Sequence, residues 1–501
     1  MSQAVLIVGA GATGLTLAID LARRGVPYRI VDRADGPLPG SRGKGLQPRT
    51  LEVFDDLGVL DAVLAQGSGY PPLRAWQGEQ VVWEGHMTPT REVTPDVPHP
   101  NPWLLPQMRT ERILRERLAA LGGDVEQGTE LVGLAQDAGG VTATLRRAGN
   151  TEQARFDYLV GADGGHSAVR KAIGVGFLGE SRPAERMLVG DLPVPGLDRE
   201  HWHFWGGSPA DGIGLCPLAG TDLFQLQASL LDGDDPEPTT ADVHALFGRR
   251  AGVDLPLGDV VWASRWRANI RMADRFRAGR VFLTGDAAHV HSPAGGQGLN
   301  TGVQDAYNLG WKLAAVLAGA PEELLDTYQA ERLPVAAGVL GISTELHDRA
   351  VRGDRDAHSR DDPELRQLLL SYPDSPLSVE ARTEPTGVRA GDRAPDAPCR
   401  RADGTPVRLF DVFRGPQITV LAFGSEASPT LDGLVRGRQG VRLCQVTHPG
   451  RRADGLVDQD GHAHGSYGGA DGTIAVVRPD GYLGLVTTDP DQVPGYLRAV
   501  S

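Results

Sequence analysis

The sequence predicts an α/β fold, α+β over the whole chain, on three observations. The chain opens with a short apolar run, Val5-Leu6-Ile7-Val8, that ends in a glycine-rich turn followed by a helical stripe. Two more strand-like runs, far along the chain, also end on Gly and Asp, at Gly161-Ala162-Asp163-Gly164 and at Gly285-Asp286. The stretch between those two alternates as strands do, like a sheet inserted between halves of another domain. A length of 501 residues exceeds a single hydrophobic core and suggests about three domains at roughly 150 residues each.

The first element reads as a βαβ unit. Val5 to Val8 form a buried parallel strand. Thr13 to Arg24 place Leu15, Leu17, Ala18, Leu21 and Ala22 on a helical stripe, Gly25 stops the helix, and Tyr28 to Asp32 make the second strand. In the turn Gly9-Ala10-Gly11-Ala12-Thr13-Gly14, Gly9 permits the tight bend and Gly11 lets backbone approach a diphosphate. Gly14 lets helix and strand pack closely. The helix start, Ala12 and Thr13 included, offers free N–H groups and a partial positive charge. Asp32, followed by Arg33, lies at about the 20-residue offset where a carboxylate meets an adenosine ribose. This motif alone fits NAD as well as FAD.

The later segments favour the flavin. Arg155 to Val160 is a strand-like run ending in the Gly161–Gly164 turn, and Ser167 to Ile173 begins a helix carrying Arg170. Arg280 to Thr284 is a buried strand ending at Asp286, whose carboxylate is well placed for ribityl hydroxyls. Pro293 and a glycine cluster lead into a helix from about Thr301 to Leu317, with Ala306, Leu309, Leu313 and Val316 on one face. Backbone amides at that helix start can face the N1–C2=O edge of a reduced flavin and stabilise its charge. Together, and in this order, the three segments fit one FAD.

On these residues the chain resembles the class A flavoprotein monooxygenases, the family with the para-hydroxybenzoate hydroxylase fold. Gly285 to Lys312 (GDAAHVHSPAGGQGLNTGVQDAYNLGWK) and Gly161 to Arg170 (GADGGHSAVR) are similar to two of its motifs. Ser41 to Leu46 with Arg49, and Leu105 to Arg109, are similar to two further flavin contacts. The resemblance implies that Gly9, Gly11, Ala12, Thr13, Gly14, Asp32, Arg33, Arg42 and Arg109 hold the ADP half. It implies that Gln107 and Asp286 hold the ribityl chain and diphosphate, and that Asp163 belongs to the FAD and nicotinamide motif. Pro293, Gly296, Gly298, Leu299 and Asn300 are then expected along the isoalloxazine. For His289 and His291 a structural role is expected.

A first FAD-binding segment is expected over 1–175, a β-rich substrate domain over 176–274, and the second FAD-binding segment with a helical stretch over 275–371. In the β-rich domain, Arg186 to Leu192 and Leu223 to Ala228 read as strands. The run Trp202-His203-Phe204-Trp205 puts His203 and Trp205 on one face and Trp202 and Phe204 on the other. In the family such a sheet roofs the substrate, so His203, Trp205, Pro217, Pro293, Ala294 and Gly295 are the expected substrate contacts. Core packing of the aromatic face is an equal alternative. A linker is expected over 372–390 and a small α/β domain over 391–501. Gly391 to Pro395 and Val477 to Tyr482 resemble the thioredoxin-like domain attached to phenol and polyketide hydroxylases. No CxxC is present, so dithiol exchange is not expected.

A net charge of −14 argues against a nucleic-acid partner. Cys216, Cys399 and Cys444 are widely spaced and suggest neither a disulfide framework nor a zinc site. Neither a signal peptide nor a membrane span is expected, and a reducing cytoplasm is the simpler location. No catalytic nucleophile stands out, as expected where the cofactor carries the chemistry. The resemblance implies NADPH or NADH as electron donor, O2 as co-substrate, oxygen transfer from a flavin C4a-hydroperoxide to a phenolic ring, and allows a homodimer. The expected substrate is a polycyclic aromatic polyketide in antibiotic biosynthesis. Alternatives are small phenols of the 3-hydroxybenzoate or resorcinol type, Baeyer–Villiger oxygenation or antibiotic inactivation, and a non-catalytic flavin-fold binding protein.

Overall fold

The computed structural model describes residues 4–501 apart from 207–211, 232–233, 235–236, 292–295, 352–362, 425–430, 434–437 and 451–454. The side chains of 182–185, 268, 343 and 345–351 also fall outside that description.

A six-stranded sheet organises the first domain, in the order Arg277–Ala278, Val281–Leu283, Tyr158–Gly161, Val5–Val8, Tyr28–Val31, Val125–Glu126. Every neighbouring pair is parallel except the first. Register aligns Val8 with Gly161 and Gly161 with Leu283. The three strands that end in glycine turns are therefore adjacent and point the same way, so turns some 120–150 residues apart meet at one edge. That edge, at the carboxyl ends of parallel strands, is where open α/β sheets bind ligands. The expected strand from Arg155 to Val160 is in fact two. Asn150–Phe156 pairs with Gly140–Arg147 in a three-stranded antiparallel sheet, and the chain breaks at Asp157 before Tyr158–Gly161.

The second sheet has eight strands, ordered His289–Val290, Trp262–Ala273, Phe177–Pro193, Leu223–Leu230, Ile213–Pro217, Trp202–Trp205, Leu73–Gln77, Gln80–Gly85. Its last two strands come from before residue 90 and join through a parallel pairing of Leu73–Gln77 with Trp202–Trp205. The sheet is thus not confined to the expected 176–274 stretch. Helix Thr240–Ala251 covers one face, burying Val243, Leu246 and Phe247 against Leu188, Ile213, Leu215 and Phe224.

The C-terminal region forms another sheet of eight strands, with Ile418–Phe423 between Val441–Thr447 and Ile474–Val477. Its neighbour Val441–Thr447 is parallel and Ile474–Val477 antiparallel. The stretch expected to be a linker is extended but tied down. Tyr372 is buried, and Val379–Glu380 pairs with Leu485–Val486.

Helix Gly298–Leu317 starts three residues before the expected Thr301, and it is not amphipathic in its setting: every residue from Asn300 to Leu313 is buried. The C-terminal domain covers what would be its outer face, packing Leu377, Val420, Val476 and Leu485 around Trp311 and Leu324. Polar residues on the same helix are paired rather than exposed. Glu331 accepts from Lys312 Nζ at 2.7 Å and from both terminal nitrogens of Arg478 at 2.6 and 2.9 Å. Arg478 also binds Asp480. Burial alone would push the Glu331 carboxyl up, but Arg478 and Lys312 hold it well below the usual carboxylate range. A second buried pair, Arg393 with Glu52 at 2.6 Å, ties the same two domains together. Among the described residues no helix is long and apolar enough to cross a membrane.

Candidate flavin and substrate site

The first turn is closed by backbone contact. Gly9 sits at φ +106°, where a Cβ would run into the Ala162 carbonyl, and a Cβ on Gly14 would overlap the Gly9 carbonyl oxygen. Gly11 differs: the nearest atom to its Cβ position is Glu111 Oε1 at 3.7 Å. The fold therefore does not need glycine there for packing, which is what a glycine kept open for a diphosphate requires. No side chain caps helix Ala12–Arg23 at Gly11, leaving its first-turn amides for a ligand. Asp32 accepts from Ala10 N at 2.8 Å and Ala34 N at 2.9 Å, one bond per oxygen, and stays half-buried with lone pairs left for a hydroxyl.

Helix Gln107–Ala120 lies alongside this turn, since Arg115 donates to Ala10 O at 2.8 Å. Gln107 donates to Glu111 at 2.8 Å and its backbone N–H donates to the Ser41 and Gly43 carbonyls, joining the helix to the 41–47 loop. Burial pushes the Glu111 carboxyl up, with Gln107, Arg42 and Arg115 opposing.

Thr13 joins the first and third segments. Its Oγ1 lies 2.7 Å from the Cβ position of Gly285, and a Cβ on Gly302 would overlap the same oxygen. Asp305 then fixes the Gly285-Asp286 turn by accepting from Gly285 N at 3.1 Å and His289 Nε2 at 2.7 Å, with Arg332 Nε at 2.7 Å on its other oxygen. His289 thus has the expected structural role. Asp286 itself is solvent-accessible yet enclosed by protein, as in a deep recess, and burial pushes its carboxyl up against the opposing effect of His289. Asn300 locks the helix start to the 41–47 loop: Oδ1 accepts from Gln47 N at 2.8 Å, and Nδ2 donates to Gly45 O and Gly296 O at 2.9 and 2.8 Å. Gly298 and Leu299 are half-buried beside it. Pro293, Ala294 and Gly295 lie outside the described residues.

Several expected contacts are otherwise engaged. Asp163 accepts from Ser167 Oγ, Ala168 N and Val169 N, so its carboxylate caps helix Ala168–Ala172 instead of facing a ligand. Arg109 is turned to Gln66 Oε1 at 3.0 Å and to the Gly220 carbonyl, away from the glycine turn. Arg33 and Arg42 are exposed, Arg42 at φ +39°.

Of the two faces of Trp202–Trp205, the one carrying His203 and Trp205 is packed as core, the alternative that the sequence left open. The alternation of Trp202–Trp205 holds, with His203 stacked on Trp205 and Trp202 on Phe204. It is the His203 and Trp205 face that packs under the covering helix. Trp205 meets Phe247 edge-on, and His203 accepts from Trp76 Nε1 at 3.0 Å and bonds the Asp198 carbonyl at 2.7 Å. Pro217 shares the parity of Ile213 and Leu215, which pack under that helix, and pairs with Phe224. The opposite face carries Trp202, Phe204 and Cys216, clustered with Leu73, Met87 and Leu104. It also carries Gln225, which reaches the 41–47 loop through Ser41 Oγ and Arg42 O. Asp191 holds that loop as well, accepting from Ser41 N at 2.6 Å and Ser41 Oγ at 2.5 Å. Lys44, Gln225 and Asp191 were not singled out from sequence. The one available signal was that Lys44 is among only three lysines, Lys44, Lys171 and Lys312.

Comparison with known proteins agrees with this geometry. A family model described as an FAD binding domain matches residues 2–343. The chain is 45% identical to a flavin-dependent monooxygenase of Mycobacteroides abscessus over 99% of both chains. It is 35% identical to the 6-methylpretetramide 4-monooxygenase of Streptomyces rimosus, covering 96% of this chain and 90% of that one. The crystal structure of aklavinone-11 hydroxylase with FAD and aklavinone superposes with a TM-score of 0.81 at 29% identity, covering 99% of this chain and 98% of that one. The chain belongs to the class A FAD-binding flavin monooxygenases and is related to the aromatic polyketide hydroxylases.

Proposed function

We propose that this monooxygenase hydroxylates a phenolic, polycyclic aromatic polyketide at the expense of NADPH or NADH. One observation supports the choice of substrate class: the apolar cluster of Trp202 and Phe204, continued by Leu73, Met87 and Leu104, lies on the sheet face turned toward the loop that meets the flavin segments. An apolar wall of that extent suits a fused-ring ligand better than a single small phenol. Relatives named for tetracycline intermediates and for aklavinone support the same reading.

Bound FAD would accept reducing equivalents from the nicotinamide and activate O2. The residues do the rest. Gly9, Gly11, Gly14 and Asp32 would seat the ADP half, Asp286 and Gln107 the ribityl and diphosphate region, and Asn300 with Gly298 and Leu299 the ring edge. The Trp202 and Phe204 face would hold the substrate ring and exclude water. The C-terminal region reads as a thioredoxin-like domain without a dithiol, whose role is to cover helix Gly298–Leu317. A panel of anhydrotetracycline, aklavinone, resorcinol and 3-hydroxybenzoate tests this. Faster NADPH oxidation with a hydroxylated product is expected from the polycyclic members, and turnover of the small phenols alone would reverse the assignment.

A further inference from the structure

Lys44 lies inside the Ser41–Leu46 segment whose resemblance implied flavin contact, yet its ammonium is aimed at the sheet, at Gln225 and Trp202. It is buried between the 41–47 loop and the roofing sheet, only 9% exposed. Its ammonium donates to Gln225 Oε1 and stands 4.4 Å above the Trp202 ring. No carboxylate among the described residues lies within ion-pair distance of it. Asp191, whose charge does reach it, is held by the Ser41 amide and hydroxyl instead. One neutral amide and one π face are thin compensation for a buried cation, which ordinarily comes with an anion. Its chain neighbour Gly45 is bonded to Asn300, so the charge sits between the flavin segments and the aromatic roof. Burial draws the ammonium down from the ordinary lysine value, with Cys216 and Asp191 opposing, and an arriving anion would complete its charge balance.

We propose that Lys44 is the specificity residue of the substrate chamber, pairing with an ionised oxygen, phenolate or carboxylate, on an aromatic substrate held against the apolar wall of Trp202 and Phe204. This deepens the aromatic-monooxygenase reading and rests on it for the identity of the chamber. It narrows the substrate to anionic aromatics, whereas the aromatic face alone would accept neutral ones.

The test is calorimetric titration of the FAD-loaded protein with two matched fused-ring pairs: 1-hydroxy-2-naphthoate against its methyl ester for a carboxylate, and 2,4-dinitro-1-naphthol, ionised at neutral pH, against its methyl ether for a phenolate. At least one anion is expected to bind about ten-fold or more tightly than its neutral partner, a difference of ~1.4 kcal/mol. Which pair shows it identifies the oxygen recognised. In Lys44→Met that ratio should collapse to near one, and Lys44→Arg should keep much of it. A purely structural lysine would lower both affinities together and leave the ratio alone. Equal binding of anion and neutral partner by the unsubstituted protein, including no binding of either, overturns the proposal even if Lys44→Met does not fold. So does a ratio that survives in Lys44→Met. The two readings fail separately. An anion preference with no hydroxylated product from any aromatic would sink the hydroxylase reading alone, and hydroxylation of neutral aromatics without preference would sink the Lys44 reading alone.

Discussion

Gly302→Ala strikes the point where two of the flavin segments meet. The added Cβ would overlap Thr13 Oγ1 and lie 3.2 Å from Gly285 Cα and 3.6 Å from Thr13 Cβ. Rotating the Thr13 hydroxyl away would not relieve the second contact, 3.2 Å to the Gly285 Cα, which is backbone. The long helix must therefore move off the glycine turn by a few tenths of an ångström or more. Overpacking of this kind costs about 1–3 kcal/mol. If that strain is relieved by opening the Thr13–Gly285 contact, FAD affinity should fall by roughly 5- to 150-fold, since ~1.4 kcal/mol is a factor of ten. Fluorescence titration of the apoprotein with FAD reads the affinity, and thermal unfolding of apo and loaded forms reads the strain. Thr13→Ala in the same chain removes the overlapping oxygen and should restore a good part of the loss, leaving only the 3.2 Å contact with Gly285. Unchanged FAD affinity in Gly302→Ala, or no recovery in the double variant, would refute the idea that this contact joins the two segments.

Gly11→Ala should leave apoprotein stability within about 0.5 kcal/mol, because its Cβ meets nothing closer than 3.7 Å, yet it should sharply reduce FAD loading measured by absorbance. Gly14→Ala, which drives into the Gly9 carbonyl, should instead lower the unfolding temperature itself. Asp286→Ala should weaken FAD retention on a desalting column, and full flavin content would rule out its ribityl role. Arg478→Met leaves Glu331 and Asp480 buried without their main cation and should cost about 3–5 kcal/mol in denaturant unfolding. Glu331 is held below its unfolded value, so its pairing stabilises above about pH 4.3 and is lost as pH falls through the lower folded value. Circular dichroism during acid titration should therefore show Arg478→Met unfolding at higher pH than the unsubstituted chain.

Much of the fold was legible because its signals are local. The apolar run at Val5, the glycine spacing from Gly9 to Gly14 and the carboxylate at Asp32 lie within one βαβ unit, and each falls where expected. Parallel pairing did the rest, aligning Val8, Gly161 and Leu283. What was not legible depends on partners distant in sequence. Alternation separates the two faces of Trp202–Trp205, but only helix Thr240–Ala251 decides which one is covered, and it covers the His203 and Trp205 face. The stripe on helix Gly298–Leu317 marked one apolar face, but burial all round from Asn300 to Leu313 depends on residues far along the chain, such as Val420 and Val476. Asp163 looked like a ligand contact, although Ser167 four residues later makes it a helix cap. Lys44 lies in the Ser41–Leu46 motif, but nothing in that motif marks its ammonium as aimed at the sheet rather than at the flavin. Its burial depends on Gln225 and Trp202, more than 150 residues further along the chain.

An FAD-dependent aromatic hydroxylase places one atom of O2 on the ring of its substrate. Turnover of the FAD-loaded protein with NADPH, a polycyclic phenol and isotopically labelled O2, followed by mass spectrometry, reads where that atom goes. A product carrying one labelled oxygen on the ring is expected. NADPH consumption with unmodified phenol, or an oxygen derived from water, would contradict it.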